Sequence, residues 1–155
     1  MDLATKKVLD NFCTAMNNCG WRKYERRDED CAVVFGVNGD DIPMQFYATC
    51  YPKTQTFNLY SGLPMTINED SLFVVSGLIC VINHRLNLGR FDLNIFKRRI
   101  AFRVAAFYKD TDLTPAFFEE MLGFAANVVD KFNDIIADLN DGKIDLDTAI
   151  ERAMS

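Results

Sequence analysis

Apolar residues recur at Val8, Leu9, Phe12, Cys13 and Met16, the spacing that gathers side chains on one face of a helix. Gly20 follows where a left-handed residue ends such a helix. The period then falls to two. Residues 21–26 lead into the acidic turn Asp28-Glu29-Asp30, residues 31–37 are β-branched and aromatic, and Asn38-Gly39 is a turn signal. Residues 44–51 and 56–60 make another pair, joined through Tyr51-Pro52-Lys53-Thr54-Gln55. This stretch predicts three or four antiparallel strands in a meander.

Leu63-Pro64 ends the strands. Asn68 is placed to cap a helix with Glu69 and Asp70 in its first turn and a stripe of Leu72, Val75, Ile79, Ile82 and Leu86. Gly89 stands where a left-handed terminator is expected. Phe91, Leu93 and Ile95 then alternate with polar residues, and Ile100, Phe102 and Val104 alternate again, so two half-buried strands flank Phe96-Lys97-Arg98-Arg99. Thr114-Pro115 opens a long helix, with cap and first-position proline in the favoured order, and Asn140-Asp141-Gly142 closes it. A short extra helix over about 145–154 carries Leu146, Ala149, Ile150 and Ala153.

The order is helix, three or four strands, helix, two strands, long helix. Antiparallel strands with helices packed on them make this an α+β fold. No repeat, low-complexity tract or linker interrupts the chain, so residues 1–155 are expected to form one domain.

Composition narrows the role. The 22 Asp and Glu outnumber the 17 Lys and Arg, and the net charge of −5 disfavours nucleic acid and anionic membranes as partners. The longest nearly apolar run, residues 72–82, is too short to cross a bilayer. The amino end lacks the apolar segment of a signal peptide. Five cysteines (Cys13, Cys19, Cys31, Cys50 and Cys80) without ligand spacing read as reduced thiols in a core. The expected compartment is the cytoplasm.

Chemistry is sparse. His84 is the one histidine, near the end of a predicted helix, where the dipole favours it and it can satisfy terminal carbonyls. Asp28-Glu29-Asp30 and Asp40-Asp41 fall in turns and lack the alternation and closing Glu of an EF-hand loop. Phosphate-loop, dinucleotide and nucleophile-elbow motifs are absent. No catalytic residue, metal ligand or cofactor site is assigned, and the chain is expected not to be an enzyme. Lys97, Arg98 and Arg99 sit in a turn where charges suppress edge pairing, and they are a weak candidate for anion contact. Arg22, Lys23, Arg26 and Arg27 would join them only if the first hairpin lay alongside.

The long helix is the most informative segment. One apolar row comprises Phe118, Leu122, Ala125, Val129, Phe132, Ile136 and Leu139; a second comprises Phe117, Met121, Phe124, Val128 and Ile135. One row suffices for packing on a sheet, so the second is covered either by a neighbouring helix of the same chain or by another subunit or client.

Several stretches carry a resemblance: "FNLYSGLP" (57–64), "VINHRLNLGRFDL" (81–93), "RIAFRV" (99–104) and "LTPAFFEEMLGFAANVVDKF" (113–132). Across residues 5–141 the chain resembles the bacterial YbjN-like family, described as sensory-transduction regulators, which shares the fold of type III secretion chaperones. That family has no agreed catalytic residues. Its chaperone relatives are small acidic homodimers that hold unfolded segments of client proteins. The resemblance therefore implies a homodimeric protein-binding module, with a protein partner or client and no nucleic acid or membrane. A small-molecule pocket between sheet and helices, serving a sensor or an enzyme, is the alternative.

Overall fold

The computed structural model describes residues 1–40 and 42–155; of the predicted Asp40-Asp41 turn, Asp41 lies outside the described residues. The chain runs α1 (Leu3–Asn18), β1 (Tyr24–Arg27), β2 (Ala32–Val37), β3 (Met44–Tyr51), β4 (Thr56–Gly62), α2 (Leu72–Arg85), β5 (Arg90–Asn94), β6 (Arg99–Phe107), α3 (Pro115–Asn140) and α4 (Leu146–Met154). The strands form one six-stranded sheet in the order β1-β2-β3-β4-β6-β5, with every neighbouring pair antiparallel. The chain leaves the sheet after β4, passes through α2, enters the far edge as β5 and turns back so that β6 lies against β4.

Alternation decides which side of the sheet is covered. Phe35, Phe46, Ala48, Phe57, Leu59, Phe91, Phe102 and Val104 share the inner face and are buried. The helices lie on this face, α1 over β2 and β3, α3 over β3 and β6, and α2 over β5. Phe12, Phe57 and Phe118 bring α1, β4 and α3 to one point, with ring centroids 4.8–5.3 Å apart. Each of these rings is fully buried, and burial of one contributes about 2–3 kcal/mol.

Gly20 has φ +79° just past α1 and Gly142 has φ +70° just past α3, the expected terminators. Asn68 and Gly89 are corrections. Asn68 makes no cap; the segment 69–71 is a 3-10 turn, and α2 begins at Leu72. The Asn68 N–H instead donates to Asn140 Oδ1 (2.8 Å) and its Nδ2 to the Asn140 carbonyl (2.9 Å), which also accepts from Ser71 Oγ. The end of α3 is thus satisfied by the entry to α2. Helix α2 stops at Arg85 with Leu86 extended, so Gly89 (φ +68°) introduces β5 instead of ending the helix. A Cβ there would meet the Phe102 ring at 2.5 Å and the Arg103 carbonyl at 2.9 Å.

The cysteines divide. Cys13 and Cys50 are buried as expected, and burial pushes the Cys50 thiol up to about 12. Cys19 and Cys80 are exposed, contrary to the core reading. Cys80 lies on the outer stripe of α2, away from the buried Val75, Leu78, Ile79 and Ile82.

One side chain occupies the β5 edge at Phe91. Asn83 on α2 accepts from the Phe91 N–H (2.8 Å) and donates to the Phe91 carbonyl (2.9 Å), as a neighbouring strand would. Replacing Asn83 with Ala is expected to destabilise the chain by about 1–3 kcal/mol, because two partly buried backbone groups lose their partner. Urea unfolding checks the loss, and an unchanged midpoint would show that the contact is dispensable.

Candidate functional site

Helix α3 is one uninterrupted rod of 26 residues, capped by the Thr114 hydroxyl, which accepts from the Phe117 N–H. The first apolar row, Phe118 to Leu139, is buried along its whole length. The second row divides. Val128 and Ile135 are buried within the chain, on the half of α3 that α4 reaches. At the other end Phe117 remains 38% exposed and Phe124 is half-buried, with Met121 at the base between them.

That open end faces a gap in the sheet. β6 runs nine residues and β5 only five, and the last paired residues are Arg103 and Arg90. Residues 104–107 of β6 therefore extend past their outer neighbour. Ladder alternation fixes which groups this frees. Ile100 and Tyr108 bond toward the β4 side, so Phe102, Val104 and Ala106 do the same, while Ala105 and Phe107 direct N–H and C=O toward the side β5 has vacated. Among the described residues no backbone partner meets them there. Beneath lies an apolar groove of about 530 Å³ lined by Leu88, Val104, Ala106, Phe117, Met121 and Phe124, with Glu120 at its margin.

A second cavity of about 300 Å³ shares Phe124 with the first as a lining residue and extends along α3 past Val128 to Lys131. Arg85 and Leu86 form its other wall, and Ala153 of α4 closes its end. Helix α4 buries Ala149 and Ala153 fully, packs Leu146 and Ile150 partly against the core, and adds polar contacts. The Arg152 guanidinium donates to Asp134 Oδ2 (2.8 Å) and Asp138 Oδ2 (2.9 Å), one turn apart on α3. The hydrogen bond from Arg152 holds the Asp138 carboxyl below its ordinary range, and Arg85 donates to the Met154 carbonyl (2.7 Å).

A different surface lies on the α2–β5 side. Phe73 (86% exposed), Ile95 and Phe96 (93% exposed) stand at the end of this pair where the β5–β6 turn meets the entry to α2. Sequence reading missed Phe73 and Phe96 as a surface and put Ile95 in a half-buried strand, whereas β5 ends at Asn94 and Ile95 is exposed in the turn; α2 carries apolar side chains all round and so has more than one face to cover. Lys97, Arg98 and Arg99 occupy or adjoin this turn; the Arg98 carbonyl accepts from Ile67 N–H, Arg99 Nη1 donates to the Met65 carbonyl, and the Lys97 side chain is exposed. The first hairpin cannot join them, since β1 and β5 are opposite edges of the sheet, about 24 Å apart.

His84 is exposed in the last turn of α2. Asp28 pairs with Arg26 at 2.6 Å, and the Asp40 N–H donates to Asp130. Among the described residues no three His, Cys, Asp or Glu side chains converge, and no helix is long and apolar enough to cross a membrane.

No protein-family model matches the chain, and no curated protein matches it. Among solved structures, a chain in "Crystal Structure of the ExsC-ExsE Complex" is similar with a TM-score of 0.57 and 13% identity, over 88% of this chain and 97% of that one. At this identity the likeness is one of fold, and the type III secretion chaperone-like α+β arrangement expected from the sequence is the one found.

The Arg152–Asp138 contact has a pH signature. A carboxylate whose folded value is depressed contributes fully above its ordinary value, here 3.8, and loses that contribution as pH falls through the folded value. Protection of the α4 amides against hydrogen exchange is expected to drop about two- to fivefold across that range, the scale of a half-exposed ion pair. Arg152→Ala should weaken the dependence, leaving the share due to Lys143, 3.4 Å from Asp138; an equally steep dependence in that variant would locate the titration elsewhere.

Proposed function

We propose that this chain is a non-enzymatic, chaperone- or regulator-like protein-binding module of the YbjN-like kind, acting in the cytoplasm as a homodimer. Its groove takes up an extended apolar segment of a partner protein. The observation that carries this reading is the overhang of β6. Unpaired N–H and C=O groups at Ala105 and Phe107 border an apolar trough. A peptide added as a strand meets both demands at once, with backbone bonds to the sheet edge and alternate side chains in the trough. A small molecule fits the volume but leaves the strand's backbone groups unmet. The similar structure is that of a two-protein complex.

Edge guarding supports the same location. Asn83 blocks β5, and β1 is a four-residue charged strand, YERR, whose arginines are tied into ion pairs. The β6 overhang is the edge left free beside an apolar lining. We infer that the homodimer forms through the α2–β5 side, where Phe73, Ile95 and Phe96 are exposed away from the groove. Apolar clusters of this kind seldom stay bare on a monomer.

Light scattering after gel filtration is expected to give twice the 17.7 kDa chain mass. Phe73→Asp together with Phe96→Asp should return the protein to the monomer without lowering its urea midpoint; a wild-type monomer would overturn the dimer. For the groove, a blocked peptide of alternating Val and Thr should slow exchange of the Ala105 and Phe107 amides at least about tenfold at saturation, matching about 1.4 kcal/mol of protection. Phe124→Asp should abolish that protection. If a saturating peptide left both amides unchanged, strand addition at β6 would be excluded.

A further inference from the structure

We propose that the segment held in this groove is acidic at the end that passes Phe124: an apolar extended run followed by one or two carboxylates. This deepens the protein-binding reading and rests on it. The two cavities that Phe124 lines differ in charge. The first is apolar and bears one charged group, Glu120. The second carries two cations, Arg85 and Lys131, and no acid.

Neither cation has a carboxylate within 4 Å among the described residues. In a chain of net charge −5 this is not for want of acids nearby. The α3 acids around Lys131 are engaged elsewhere: Asp130 accepts from the Asp40 N–H, and Asp134 and Asp138 accept from Arg152. Arg85 donates through Nη1 to the Met154 carbonyl, which neutralises none of its charge. The Lys131 ammonium stands 5.5 Å from the Phe132 ring centre. An occupant that brings a carboxylate to this end would find a planar guanidinium donor and an ammonium beside an apolar wall, conditions that strengthen a charge-assisted hydrogen bond.

The spacing defines the segment. Glu120 and Lys131 are eleven residues apart on α3, about 16 Å along the axis, which an extended chain covers in about five residues. The fitting sequence therefore has about five residues of alternating apolar character, with its carboxylates beyond them and neutral or basic residues before them.

Two blocked fluorescent peptides test this. Both contain the same alternating Val/Thr run; one is preceded by Lys and followed by two Glu, and its mate has those charges exchanged. At low ionic strength the full-length wild-type protein is expected to bind the peptide with the acidic tail about tenfold more tightly, a difference that shrinks in high salt. Lys131→Glu should erase the preference, and Arg85→Glu together with Lys131→Glu should reverse it, with urea midpoints confirming that both variants fold. Equal affinity of the two peptides for the wild type would overturn the charge inference while leaving the groove standing. Failure of both to bind would remove the groove reading and this inference together.

Discussion

The meeting of Phe12, Phe57 and Phe118 is the constraint on which the rest of the molecule depends. Each ring comes from a different layer element, α1, β4 and α3, and none touches solvent. Interiors are packed tightly enough that one ring cannot move without displacing the other two. The contact sits in the first turn of α3, next to the Thr114 cap, so it sets where that rod starts. From there 26 helical residues project about 39 Å over the sheet. The position of Phe117, Met121 and Phe124 against β6 follows from that anchor.

A second constraint comes from unequal strand lengths. An antiparallel neighbour satisfies backbone groups only along its own length, and β5 begins only where the chain arrives through Gly89, pressed against Phe102. At Phe91 the β5 edge is occupied by the Asn83 amide. Natural proteins commonly guard sheet edges against further pairing; here the guarding is selective, because the part of β6 left over beside the trough has none. The contrast turns an ordinary mismatch into a place that accepts one more strand.

Charge completes the picture. Most acids on the second half of α3 serve structure: Asp134 and Asp138 secure α4 through Arg152, and Asp130 receives the backbone of the β2–β3 connection. Their engagement leaves Arg85 and Lys131 without a carboxylate, so an acidic protein presents a locally basic wall at one end of its groove.

Periodicity alone determined a good deal. The switch from 3.6 to 2 and back marks most helices and strands, because an element with one buried face carries the burial pattern in its own residues. The Thr114-Pro115 start and the Gly142 stop were readable for the same reason, since a cap is a local interaction. The two-row character of α3 was readable too, with Phe117, Met121, Phe124, Val128 and Ile135 marked as needing cover. What covers them was not. Val128 and Ile135 are buried while Phe117 stays open, and nothing in that row distinguishes them. Asn68 and Asn83 illustrate the limit: each sits where local rules suggest a cap or a helix end, yet each bonds a segment whose position depends on how the layers pack. Strand order, the overhang of β6 and the unmatched cations arise from contacts between residues far apart in the chain. Such contacts exist only once the layers have closed on one another, and that is why tertiary structure alone decided them.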